Sequence, residues 1–161
     1  MTAPDQDRQG LVDELVGVAV PGYAILVVQL NNVVATQLGV TDTDVQCLHA
    51  LDRYGPMTPG ALAKRVNLTT GSATRMIDRL VAAGCVRRMP DPDDRRKVVV
   101  EPTQEGLDRV RDAYAGLVER TRDDLGDFTD EELRAVLRFV RTAEHSTAAE
   151  IHRLQSGTGN Q

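Results

Sequence analysis

A helix that carries Ala73, Met76, Ile77 and Leu80, followed by Gly84 and a proline-studded turn, constrains this 161-residue chain more than any other feature. The four apolar residues fall at i, i+3, i+4 and i+7, so a helix over about Thr69 to Ala83 gathers them on one stripe that has to be buried. Its opposite face then holds Gly71, Ser72, Arg75, Asp78 and Arg79, with Thr69 and Thr70 at the N-terminal end. Beyond Gly84, Val86 to Met89 has strand character, Pro90-Asp91-Pro92-Asp93-Asp94 is dense turn chemistry, and a β-branched run from Lys97 to Glu101 returns to Pro102. Two prolines forbid a helix through the tip. The result is a hairpin that projects Arg95 and Arg96, flanked by Arg87 and Arg88.

The rest of the chain is helical in pattern. Apolar residues recur at helical spacing from Leu11 to Leu38 and stop at Gly39, with Pro21 either kinking that helix or starting a second one. Residues Met1 to Gln9 are polar and read as loose. Thr41 or Thr43 caps the next helix, Thr58 caps a short one carrying Leu62, Ala63 and Val66, and Asn67 to Thr70 makes the turn into the arginine-bearing helix. Downstream, Gln104 to Leu125 is helical, Gly126 punctuates it, and Phe128, Thr129 and Glu132 carry the staple, cap and capping-box positions of a last helix. That helix bears a stripe of Leu133, Val136, Leu137, Val140 and Ala143 running on toward Ile151 and Leu154. The predicted fold class is mainly α with a small β wing, as a single domain over 1–161. A winged helix-turn-helix occupies 41–102, and apolar helices at 11–38 and 104–155 suit self-association, which for soluble proteins is most often a symmetric dimer.

Charge divides unevenly along the chain. The net charge is −5, yet Asp52 to Glu101 holds ten Lys/Arg against six Asp/Glu. A basic working face on an acidic body suits a polyanion, because steering depends on local potential. Arg75 is the best candidate for a guanine contact, its planar fork matching the O6/N7 edge in the major groove, and the hairpin arginines Arg95 and Arg96 suit a narrow minor groove. Aromatics make up only 3% of the chain, so the stacking platforms used on single strands are poorly supplied.

Other function classes find little support. His49, His145 and His152 sit on separate predicted helical segments without metal-ligand spacing, and Thr70-Gly71-Ser72-Ala73 lacks the second glycine and the Lys-Ser/Thr pair of a phosphate loop. No enzyme, cofactor or metal is expected. Cys47 and Cys85 form neither a disulfide framework nor a C-x-x-C pair. The longest apolar segment, Val16 to Val34, is interrupted by Pro21, Gly22, Gln29, Asn31 and Asn32, so the expectation is a cytoplasmic protein with no membrane partner.

The strings MTPGALAKRV, TTGSATRMIDRLVAAGCVRR and PDPDDRRKVVVEPTQEG, in that order, resemble the winged helix-turn-helix of the multiple-antibiotic-resistance regulator (MarR) family. The resemblance covers roughly Leu38 to Gly106, and its most specific part is the wing string DPDDRR followed by the Thr103, Gly106 helix start. It implies a homodimeric transcriptional regulator, a repressor by expectation, that binds double-stranded DNA at a palindromic operator and releases it when a small ligand or oxidant arrives. It also implies that Asp94 holds Arg96 by ion pairing, and that Thr69, Thr70, Ser72, Arg75 and Arg79 form the recognition surface. Three positions depart from the family pattern: Pro102 at the wing base, Cys85 after Gly84, which is expected to be half-buried, and Pro21-Gly22 in the first helix. A small aromatic or anionic effector between the dimer and DNA-binding parts, a thiol switch at Cys47 or Cys85, and a winged-helix protein-interaction module without DNA binding remain the alternatives.

Overall fold

A computed structural model describes residues 3–92 and 94–158; Asp93 of the hairpin turn, residues 1–2 and residues 159–161 lie outside the described residues. The chain divides into two units, 1–115 and 116–161.

In the first unit, α1 (Ala3–Glu14), a π-helical turn (Leu15–Ala19) and α2 (Val20–Leu38) follow one another directly. Helix therefore begins within the segment expected to be loose, where Gln9 donates to Asp13 one turn on at 2.8 Å. Pro21 explains the π turn. It has no N–H to offer and its ring crowds the carbonyl four residues back, so the preceding turn widens and the Val20 N–H bonds Leu15 O instead. Helix continues past Pro21 and ends at Gly39, whose φ of 68° lies in the left-handed region that favours glycine. This continuity corrects the sequence reading of an interrupted apolar segment: Asp7–Leu38, 32 residues, is long and apolar enough to cross a bilayer by length and composition. The supposed interruptions carry no charge, and none of them ends the helix.

Helix α3 (Asp42–Tyr54) starts with a full capping box, the Thr41 hydroxyl accepting from Asp44 N and the Asp44 carboxylate accepting from Thr41 N. Thr58 caps α4 (Pro59–Arg65) and Thr69 caps α5 (Thr70–Ala82). Strands β1 (Val86–Pro90) and β2 (Val98–Pro102) pair antiparallel with Arg87 opposite Glu101 and Arg88 opposite Val100. Met57, just before α4, exchanges both backbone hydrogen bonds with Val100 and fastens the wing to the helical part.

The stripe on α5 behaves as its periodicity demands. Ala73, Met76, Ile77 and Leu80 are all buried, the last three packed with Leu48, Leu51 and Leu62 of α3 and α4, and Val86 and Val100 of the wing close the same core. Removing each large side chain from water contributes about 1.5–3 kcal/mol, so α5 cannot turn its polar face inward. A smaller cluster of Val34, Ala35 and Val45 packs α2 onto α3.

The first turn of α6 (Gln104–Asp124) is built by Thr103 and Gly106. The Thr103 hydroxyl donates to Gly84 O at 2.6 Å and accepts from Gly106 N at 3.0 Å. A Cβ on Gly106 would lie 2.5 Å from the Cys85 carbonyl oxygen and 2.6 Å from its Cα, so only glycine lets α6 start this close to the strand.

The second unit holds the end of α6 and α7 (Asp130–Thr158). Thr129 and Glu132 form the expected capping box, the carboxylate accepting from Thr129 N at 2.7 Å. Val136, Leu137, Phe139, Val140, Ile151 and Leu154 on α7 are all exposed.

Candidate nucleic-acid interface

Helix α5 presents Thr70, Gly71, Thr74 and Arg75 to solvent, with Ser72 half-buried beside them. Two of the predicted hydroxyls serve the helix start: Thr69 Oγ1 accepts from Ser72 N at 3.3 Å and lies 3.1 Å from Ser72 Oγ. Thr74, which the sequence reading passed over, donates to Thr70 O at 3.0 Å and lies on the same exposed face. Arg75 extends from that face with no hydrogen-bond or ion-pair partner among the described residues.

The wing tip is organised by Asp94. Its Oδ1 accepts from the backbone N of Arg96 at 3.1 Å and from the Arg96 Nε at 3.3 Å, while its Oδ2 lies 3.8 Å from Lys97 Nζ. The Arg96 side chain is nonetheless 93% exposed, and Arg95 beside it is exposed as well. The other two wing arginines are bound within the fold. Arg87 pairs with Glu101 across the hairpin at 3.0 Å, and Arg88 reaches back to Asp78 on α5 at 2.6 Å. The second pair ties the wing directly to the helix that carries Arg75.

A profile of the MarR family matches residues 40–98, the span from the start of α3 to the return strand of the wing. The helix-turn-helix-type transcriptional regulator YcgE of Bacillus subtilis is 38% identical over 128 residues, which is 80% of this chain and 83% of that relative. The chain belongs to the MarR family. The multiple antibiotic resistance protein MarR of Salmonella typhimurium is 38% identical over 77 residues, 48% of this chain and 53% of that one. Among solved structures, a MarR family protein from Bacillus stearothermophilus shares the fold with a TM-score of 0.67 at 22% identity, covering 87% of this chain and 97% of that one. This MarR-family protein is thus a transcriptional regulator of a DNA-binding class and not an enzyme.

Within the regulator, Arg79 stands apart from the other predicted contact residues. Its Nε and Nη2 donate to the two carboxylate oxygens of Asp44 at 3.2 and 2.8 Å, and Nη2 lies 3.5 Å from Thr41 Oγ1. The Asp44 side chain is fully buried, so this bidentate pair compensates a carboxylate that has left water. Arg79 thereby fixes α5 against the capped start of α3. Sequence spacing held no sign of it, because the partners are 35 residues apart.

Both thiols are buried, Cys85 included, which corrects its expected half-burial. Burial, with the Asp44 carboxylate adding to it, pushes the Cys47 thiol up to about 12. Burial also raises the Cys85 thiol, partly opposed by the Arg109 guanidinium. A buried thiol held protonated is a poor nucleophile, which weakens the redox-switch alternative. His49 packs edge-on against Tyr114 with ring centroids 5.2 Å apart, and burial lowers its pKa. His145 and His152 lie on α7.

Proposed function

We propose that this regulator works as a homodimer on a palindromic operator, with α5 in the major groove and the wing tip in the adjacent minor groove. One observation carries the reading. Arg75 on α5 and Arg95 and Arg96 on the wing are exposed, and the elements that bear them are joined by the Arg88–Asp78 ion pair. Buried arginines would serve the fold; exposed ones beside a helix N-terminus suit phosphates and base edges. Thr70, Ser72 and Thr74 are small enough to let the backbone approach the duplex. In this reading Asp94 preorganises Arg96, and Arg79 positions the helix without itself needing to touch a base.

Self-association is supported by the apolar surface left on the outer helices. Leu11, Val16, Ile25, Leu26 and Val28 on the N-terminal helix and Leu137, Phe139 and Leu154 on α7 are exposed, more than a lone soluble chain ordinarily leaves uncovered. A second copy fits the N-terminal helix better than a bilayer does. Asn31 in its C-terminal half accepts from Tyr114 Oη at 2.5 Å, and the neighbouring Val34 and Ala35 are buried against α3. With segments 11–38 and 104–155 as the dimer helices, two recognition helices would address half-sites about ten base pairs apart. Release by a small aromatic or anionic effector and a repressing role complete the proposal, supported by family membership.

Selection of bound fragments from the source genome, followed by footprinting, tests it. The expected result is a protected site of two inverted half-sites about one helical turn apart, with affinity that falls as salt rises. Protein that retains no duplex at low salt would overturn the reading.

A further inference from the structure

The C-terminal ends of two helices are served by one arginine. Arg109, in the second turn of α6, is half-buried and has no carboxylate partner among the described residues. Its Nη2 donates to the carbonyl of Leu38, the last residue of α2, at 3.0 Å. Its Nη1 donates to the carbonyl of Ala83, the C-cap of α5, at 3.3 Å, and lies 3.7 Å from Cys85 Sγ. The final carbonyls of a helix have no intrahelical partner and carry the negative end of its dipole, so a cation is favoured there. Only a guanidinium presents donors in a rigid plane able to hold two such carbonyls at a set separation; an ammonium is a single point charge. The approach of α6 that makes this possible depends on Gly106, whose Cα sits against the Cys85 backbone, and on Thr103, whose hydroxyl donates to Gly84 O.

We propose that Arg109 is a positioning residue for DNA recognition: it locks the C-terminal end of α5 to the end of α2, and so sets the separation of the two recognition helices in the dimer. The inference rests on the dimeric DNA-binding reading above and goes beyond it. Helix α2 belongs to the proposed dimer contact, while α5 carries Arg75. Joined at their ends by one side chain, they move together, and the half-site spacing the dimer accepts is fixed by that joint. Without it α5 keeps its exposed face and loses its fixed distance from the dimer helix.

The test compares wild type, Arg109→Met and Arg109→Lys on the footprinted operator and on duplexes whose half-site spacing is lengthened or shortened by one base pair. Wild type should prefer the native spacing. Both variants should lose about tenfold on the native spacing, the scale of a charged hydrogen bond, and much less on the altered ones, so that the preference flattens. Amide hydrogen exchange should quicken in both variants at the two helix ends, near Gly39 and near Gly84, which are far apart in sequence. Arg109→Lys retains the charge and carries the same prediction if Arg109→Met does not fold. Equal loss at every spacing, or a preserved preference in Arg109→Lys, overturns the positioning role. Wild-type protein that binds every spacing alike also overturns it while leaving DNA binding intact, whereas wild type that binds no duplex overturns the DNA reading and the inference together.

Discussion

Arg75 and Arg79 sit one turn apart on α5 and have opposite employment. Arg79 is bound to a buried carboxylate, and Arg75 reaches solvent alone. Replacing Arg79 with alanine leaves Asp44 buried and unpaired, and should cost about 2–4 kcal/mol in urea unfolding, less than a fully buried pair because the guanidinium is half exposed. Arg75→Ala should leave stability within about 0.5 kcal/mol but lower discrimination between the operator and a base-substituted duplex by about 1–3 kcal/mol in fluorescence anisotropy. The amphipathic pattern separated the faces of α5 correctly, because helical periodicity is local. It could not separate these two arginines, because what distinguishes them is a carboxylate on α3. Cys85 shows the same limit: its burial comes from the close start of α6, made possible by Gly106 twenty-one residues later. Gly106→Ala should therefore destabilise the fold by about 1–3 kcal/mol, or prevent folding, since the clash is with backbone and not with a movable side chain.

The thiol of Cys47 gives a pH signature at the same scale. Its folded pKa is raised to about 12 from an ordinary value of 9.0, so the folded state holds the proton more tightly than the unfolded chain. The resulting stability is complete below pH 9 and is lost as pH rises toward 12. Cys47→Ala should flatten the fall in unfolding free energy above pH 9, and native Cys47 should resist thiol reagents at pH 8.

At the scale of elements, turn chemistry and caps were readable where their partners are near in sequence. Thr58 and Thr129 cap the helices expected of them and Thr41, one of two candidates with Thr43, caps α3, because a cap needs only the next three residues, while Thr69, read as a contact residue, also caps α5. Pro21 was harder. Proline forbids a bond to the carbonyl four residues back, but the sequence does not say whether the chain breaks or widens. Widening into a π turn preserves the run from α1 to α2, which is why an apolar span that looked interrupted is continuous. The wing shows a similar redistribution. The two arginines expected to flank its tip, Arg87 and Arg88, are taken up by Glu101 and Asp78, which leaves Arg95 and Arg96 exposed at the tip. Asp78→Asn should change stability by less than about 1 kcal/mol, as exposed pairs do, yet weaken operator binding by loosening the wing from α5.

For the whole molecule, the basic stretch between Asp52 and Glu101 lies in a chain of net charge −5, and its helix-turn-helix and wing hold the exposed arginines on two joined elements. Apolar residues of the N-terminal helix and of α7 are exposed in the single chain, so sedimentation should give the mass of a dimer, and Leu137→Glu should shift it toward monomer. On the proposed reading, this family member holds duplex DNA through exposed arginines on α5 and the wing tip. The decisive measurement is the affinity for the selected operator as a function of salt, for wild type and for the Arg95→Ala, Arg96→Ala double variant. Log affinity should fall steeply with log salt in wild type, and the slope should be shallower by about one for each phosphate that the variant no longer neutralises. A wild-type slope near zero, or an identical slope in the variant, would refute the proposed grip on DNA.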